Sequence, residues 1–263
     1  MSACVHASVA IAQGSAGDYV PPPAKLDDPE ENNRRLEIWR HHIQQARELF
    51  KRLDVAGAER ELQLAHEAAL HFGHSSGPVA TSLLNLAQLY RRSGQLEKAE
   101  PLLERAADVL DQTAGPNNKV TLIALLDLAA TKLERGNTSG ALEGFEDALT
   151  RLETAERHQA HGREALRDVR AACLLRVAKA NVQLGMMDEA EARLRESLTL
   201  LEERWGRGSP KVLAPAVELA SLLWKRGQRD EGEQLLARAL ALEGLRPVQR
   251  EQLEKVAAEL RAS

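Results

Sequence analysis

The sequence predicts an all-α chain built as an α-solenoid, a stack of helix–turn–helix pairs. Three observations predict it. The 263 residues are dominated by Ala, Leu, Glu and Arg and hold only 3% aromatics, a composition that suits helices. No segment shows the strict apolar–polar alternation of a half-buried strand. And the chain repeats itself. "FGHSSGPVATSLLNLAQLYRRSGQLEKAEPLLERA", Phe72 to Ala106, returns 133 positions later as "WGRGSPKVLAPAVELASLLWKRGQRDEGEQLLARA", Trp205 to Ala239.

Residues 1–29 differ from the rest of the chain. "MSACVHASVAIAQGSAGDYVPPPAKLDDP" is rich in Ala, Ser and Pro, has no acidic residue before Asp18 and no Lys or Arg before Lys25. It reads as a disordered tail, with a short targeting leader as the alternative, its small-residue site at Ala10-Ile11-Ala12. "VPPPAKLDDP" then reads as a stiff extended linker into a helix, with Asp28 as cap and Pro29 in the first turn.

Five copies come next, each marked by a small residue inside a second helix: Ala58, Ala99, Ala141, Ala190 and Gly232, at intervals of 41, 42, 49 and 42. Each is preceded by a first helix. In copy one, Leu36, Trp39, Ile43, Ala46, Phe50 and Leu53 recur at spacings of three and four, one face of a helix. In copy two, Val79, Leu83, Leu86, Ala87 and Tyr90 do the same. Gly94, Gly136, Gly185 and Gly227 end the first helices of copies two to five, where a left-handed residue is often needed. Copy one has Leu53 there. The small residues let antiparallel helices approach, and a single pair buries too little alone, so each copy is the packing surface of the next. The expected copies span about 34–73, 78–114, 118–157, 164–207 and 210–243, within an array over 30–263. The extra residues around "ERHQAHGRE" predict a protruding loop over 155–163, and Leu253, Val256 and Leu260 predict an amphipathic cap over 246–261.

"NLAQLYRRSGQLEKAEPLLERA", Asn85 to Ala106, resembles a tetratricopeptide repeat: Leu86, Ala87 and Tyr90 on the first helix, Gly94 at the turn, Ala99, Leu103 and Ala106 on the second. The 42-residue period resembles the longer repeats of kinesin light chains. The resemblance covers about residues 34–243 and implies a right-handed superhelix whose first helices line a concave, peptide-binding groove. Nothing in residues 1–33 resembles the heptad coiled coil that precedes the repeats of kinesin light chains, so motor binding is not implied.

Composition narrows the function. A net charge of −4 argues against a general nucleic-acid binder, and no apolar run is long enough to span a membrane. Cys4 and Cys173 form no motif. The pairs His71/His74 and His158/His161 have no Cys or acidic completion for a metal and read as surface residues, as do the adjacent His41 and His42. The glycines mark turns rather than a phosphate loop. Trp39, Trp205 and Trp224 read as fillers of repeat interfaces. The expectation is therefore no catalytic residue, no metal and no cofactor. An enzyme built around His66, His71 and His74 is the remote alternative.

Carried over from the resemblance, the groove is expected to hold Arg40, Arg47, Phe50 and Lys51 from copy one and Leu84, Asn85, Gln88, Arg91 and Arg92 from copy two. Leu126 comes from copy three, Lys179 from copy four, and Trp224 and Lys225 from copy five. Seven of the inward positions are basic and one, Glu134, is acidic, although the whole chain has 39 acidic against 35 basic residues. Such a face favours an acidic, partly apolar segment of a protein partner. Four of the seven sit in the last turn of a helix, where cations suit the dipole anyway. The two-carboxylate clamp of chaperone-binding relatives is not matched: Asn85 and Arg47 fit, but Ile43, Ile123 and Asp127 stand where Lys, Lys and Arg are wanted. The expected role is a scaffold, adaptor or assembly factor. The alternative is a structural subunit that uses its convex face. The expected place is the cytoplasm, or an organelle or the exterior if residues 1–29 are a targeting segment.

Overall fold

The structure, a computed structural model, describes residues 29–158 and 163–262. The tail, the linker, Cys4 and His161 lie outside these. Two compact units divide at Arg157/His158. The first holds α1 (Pro29–Lys51), α2 (Val55–Leu70), α3 (Gly77–Arg92), α4 (Leu96–Thr113), α5 (Lys119–Glu134) and α6 (Thr138–His158). The second holds α7 (Arg163–Gln183), α8 (Met187–Trp205), a 3-10 turn (Pro210–Val212), α9 (Leu213–Lys225), α10 (Arg229–Leu240) and α11 (Pro247–Ala262). No strand occurs among the described residues. Residues 155–158, expected in a loop, continue α6, and α7 begins at Arg163.

Small residues set the spacing of the pairs. An Ala stands seven residues before every turn, at Ala46, Ala87, Ala129, Ala178 and Ala220, and each is buried. Five residues after the turn come Ala58, Ala99, Ala141 and Ala190, all at 0% exposure, and the buried Gly232. The two sets meet: a Cβ added at Gly232 would lie 3.2 Å from the Ala220 carbonyl oxygen. Leu83, Leu103, Leu110 and Phe72 fill the first unit around these crossings, and Leu194, Leu223 and Leu236 the second.

The turns share one backbone solution. Gly94, Gly136, Gly185 and Gly227 all have φ between +74° and +86°. Leu53 adopts φ +63° at the equivalent place and is 84% exposed. It therefore does not belong to the apolar face of α1: it lies past the helix end, in a conformation that disfavours a side chain. Asp54 then caps α2, its Oδ1 accepting from the Gly57 amide at 2.8 Å.

One face of α1 is largely polar and open where the same face of α3 is buried. Ile38, His41, Gln45 and Glu48 align with Val79, Ser82, Leu86 and Leu89 of copy two, which are all buried, whereas Ile38, His41 and Gln45 are exposed and Glu48 half-buried. At the other end α11 buries Leu253 and Ala257, and Arg250 donates to the carbonyls of Leu240 and Leu242. Trp39 is buried and its Nε1 donates to Ser82 Oγ at 2.9 Å, tying α1 to α3. Trp205, expected to fill an interface, is 40% exposed; its indole N–H donates to Asp168 at 2.8 Å, and Lys211 Nζ sits 3.4 Å from its ring centroid.

A second regularity joins neighbouring copies. Arg135, one residue before its turn, pairs with Glu100 of α4 and lies 3.9 Å from Glu97. Arg226, at the same place in copy five, reaches Asp188 and Glu191 of α8 at 2.5 and 2.7 Å. The acids sit three and six residues past the preceding turn in both cases. Arg261 of α11 takes Glu233, the acid six past the last turn.

Candidate functional site

The first helices α1, α3 and α5 present the face on which the site residues are expected. Along α1, Arg40, Gln44, Arg47 and Lys51 recur every three or four residues and are all exposed, one continuous stripe. Lys51 Nζ lies 2.7 Å from Glu48 on its own helix. Phe50 is half-buried, and the guanidinium of Arg92 on α3 lies 5.1 Å above its ring centroid. Asn85 and Gln88 are half-buried on α3; the Asn85 amide donates to the Thr81 carbonyl at 2.9 Å, turned back on its own helix.

Two expected site residues are not there. Leu84 and Leu126 are 2% and 3% exposed and belong to the core. So does Ile43, ten residues before its turn like them. That position is buried in all three copies, so it lies in the core and not on the open face.

A third expected residue, Arg91, is already engaged. Its Nη1 lies 3.1 Å from Asp127 and its Nη2 2.8 Å from Glu134, both on α5, and its side chain is only 17% exposed. Its Nε is buried without an acceptor among the described residues. In the second unit, Lys179 of α7 is held by Glu218 of α9 at 2.8 Å. Trp224 is half-buried beneath the guanidinium of Arg229 at 5.9 Å, and its buried Nε1 has no hydrogen-bond partner among the described residues. Lys225 is exposed.

Sequence reasoning does not find Asp127 and Glu218 as counter-charges. Both stand nine residues before their turn, in a series that reads Gln44, Asn85, Asp127, Arg176 and Glu218. This position lies on the same stripe but was not among the five counted in each copy. With that position included, the inward positions of the first unit hold Glu134 and Asp127 against five basic residues, and those of the second hold Glu218 against three, Arg176 joining Lys179 and Lys225. The exposed positive charge of this face is concentrated in the first unit, at Arg40, Arg47, Lys51 and Arg92.

The described histidines do not gather into one cluster. Among the described residues no group of three or more His, Cys, Asp or Glu side chains could hold a metal ion. His71 and His74 are exposed. His66 is half-buried, and burial, then Arg105, hold its imidazole below the usual range. It stands where copies two, three and four have the buried apolar Ala107, Leu149 and Leu198.

Residues 78–154 match the tetratricopeptide repeat family model. The chain carries tetratricopeptide repeats. They resemble those of kinesin light chains. The Arabidopsis thaliana protein Kinesin light chain-related 2 is 26% identical over 159 residues, which cover 60% of this chain and 23% of that protein. The chain thus spans under a quarter of the curated relative it matches. Among solved structures, a kinesin light chain with nearly identical TPR-like repeats from Podosopora anserina superposes with a TM-score of 0.59 at 21% identity, covering 90% of this chain and 100% of its own. BtubC from P. vanneervenii gives a TM-score of 0.60 at 21% identity, covering 79% and 84%. A Rap protein complexed with Competence and Sporulation Factor gives 0.63 at 16% identity, covering 85% and 57%. At these identities the structures share the fold alone. The fold is a scaffold for protein–protein interaction.

Proposed function

We propose that this chain is a non-enzymatic adaptor or assembly factor that holds an acidic, partly apolar protein segment against the open face of α1 and α3. The observation that carries the reading is the stripe of Arg40, Arg47 and Lys51, exposed beside the Phe50–Arg92 stack. Guanidinium groups bind carboxylates in two-pronged fashion, and the stem of Arg92 with the Phe50 ring offers an apolar shelf. Asn85 and Gln88 supply neutral amides between them. The related fold that holds Competence and Sporulation Factor is a neighbour in shape only, so the chemistry of this chain's own face has to support the reading.

The test is a set of immobilised peptides of equal length, acidic with one aromatic residue, acidic without it, and lysine-rich. The full chain is expected to stay on the acidic peptides, best on the aromatic one, and to leave as salt is raised through the range where a Debye length falls below about 10 Å. A variant carrying Arg40→Glu, Arg47→Glu and Arg92→Glu, with an unchanged helical spectrum, is expected to leave at once. Retention of that variant, or equal retention on lysine-rich peptides, would refute the basic face as the binding site.

A further inference from the structure

We propose that acid unseats copy one: protonation of His66 loosens α1 and α2, as an intact hairpin, from α3 and α4. The opening of this seam does not depend on the acidic-segment reading.

His66 lies on α2 at a place that other copies give to packing. Ala107, Leu149 and Leu198 stand there in copies two to four, all buried and apolar. His66 is half-buried, and its Nδ1 is buried with no hydrogen-bond partner among the described residues. In the neutral ring Nδ1 can stay an unprotonated acceptor. The imidazolium carries N–H on both nitrogens, so protonation sets a charged donor where no acceptor stands among the described residues. Burial first, then Arg105 of α4 and His74 of the α2–α3 turn, oppose a charge on the ring, while Glu67 of the same helix favours it. Arg105 belongs to copy two, so the penalty falls on the seam between the copies.

The other ties of the hairpin do not share this sense. Trp39 of α1 and Ser82 of α3 are neutral. Tyr90 of α3 donates to Glu59 of α2 at 2.7 Å, and burial, then Glu59, push its hydroxyl up to about 12, so it remains a donor. Within the hairpin, His42 Nδ1 of α1 lies 2.8 Å from Glu61 of α2, a pair that a charged imidazole tightens. His41, its ring 5.8 Å from that of His42, is exposed and screened by solvent. Acid therefore binds α1 to α2 while it weakens what holds α2 to copy two.

Copy one is the element placed to respond. Among the described residues it has a neighbour on one side only, and its far face, with Ile38, His41 and Gln45, is exposed. Stability in a stack is close to a sum of nearest-neighbour terms, so a penalty at one seam falls on the copy beyond it. The folded ring takes up its proton less readily than the unfolded one, whose pKa is about 6.5. The seam is thus complete above that value and weakens as pH falls through the lower folded value.

The test is hydrogen exchange of the full chain, read by mass spectrometry at about pH 7.5 and about pH 5.5 and corrected for intrinsic rates. Peptides from α1 and α2 are expected to lose protection at least about threefold more than peptides from α8 and α10. In His66→Leu, which brings in the residue of copies three and four, the difference is expected to vanish; in Arg105→Gln it is expected to shrink. An equal loss in α1 and α8 of the parent would overturn the device, whether or not the variants fold. So would a selective loss that persists in a folded His66→Leu. The acidic, aromatic peptide of the binding test is expected to leave the parent at the lower pH and to stay on His66→Leu. If it stays on a parent whose copy one has loosened, the α1–α3 site is overturned and the device stands.

Discussion

Leu53 offers a quantitative test of the turn. It holds φ +63° where four other copies place a glycine. An L-residue in that region is disfavoured by about 1–2 kcal/mol. Replacing Leu53 by Gly removes this strain. It also gives the unfolded chain more freedom, which takes back about 0.4–1 kcal/mol. The side chain is 84% exposed, so little apolar burial is lost. The net expectation for Leu53→Gly is stabilisation by about 0.5–1 kcal/mol. The reciprocal Gly94→Leu starts from φ +74°, and a Cβ there meets nothing within 4 Å, so it should destabilise by a similar amount through the backbone alone. Urea midpoints of the two variants, with m-values checked against the parent, give both numbers. A destabilised Leu53→Gly, or a neutral Gly94→Leu, would refute the argument that this position is governed by backbone conformation.

Packing and burial give further tests. Ala99→Leu, at a fully buried crossing, should cost about 1–3 kcal/mol by overpacking; a urea midpoint equal to the parent's would contradict the crossing. Trp39→Phe should cost about 1–2 kcal/mol, because it deletes the indole donor to the buried Ser82 hydroxyl and part of a buried ring; the same urea series reads it. His66 is held neutral by burial, so its contribution is complete above its unfolded pKa of about 6.5 and is lost as pH falls through its lower folded value. His66→Leu should therefore flatten the stability curve on the acid side of neutrality, and an unchanged slope would count against it.

The fold is legible because its signals are local. Alanines at crossings and glycines at turns report backbone spacing and backbone conformation, and both survive in one dimension. Leu53 misleads because its spacing from Phe50 fits a helix face, and only the backbone shows that the helix has already ended at Lys51. Leu84 and Leu126 mislead because a groove position carried over from a relative does not say which side chains the packing buries. The pairing of Arg91 with Asp127 spans 36 positions, and that of Lys179 with Glu218 spans 39. Charge counted along one helix cannot register a partner on the next. The exposed stripe of copy one is legible, since it lies within α1 itself.

The arginines before the turns carry one more consequence. Arg135 and Arg226 each find acids three and six residues past the preceding turn. Copy three, by contrast, carries Ser139 and Leu142 at those places, and copy four carries Leu184 where the arginine would stand. Donor and acceptors are missing together. If the copies were shuffled so that copy five followed copy three, Arg226 would meet a hydroxyl and a leucine. If copy four followed copy two, Glu97 and Glu100 would face a leucine. Each exposed pair is worth little, yet the set discriminates between orders of assembly that the alanine crossings treat as equal. The copies are interchangeable in shape and addressed by charge.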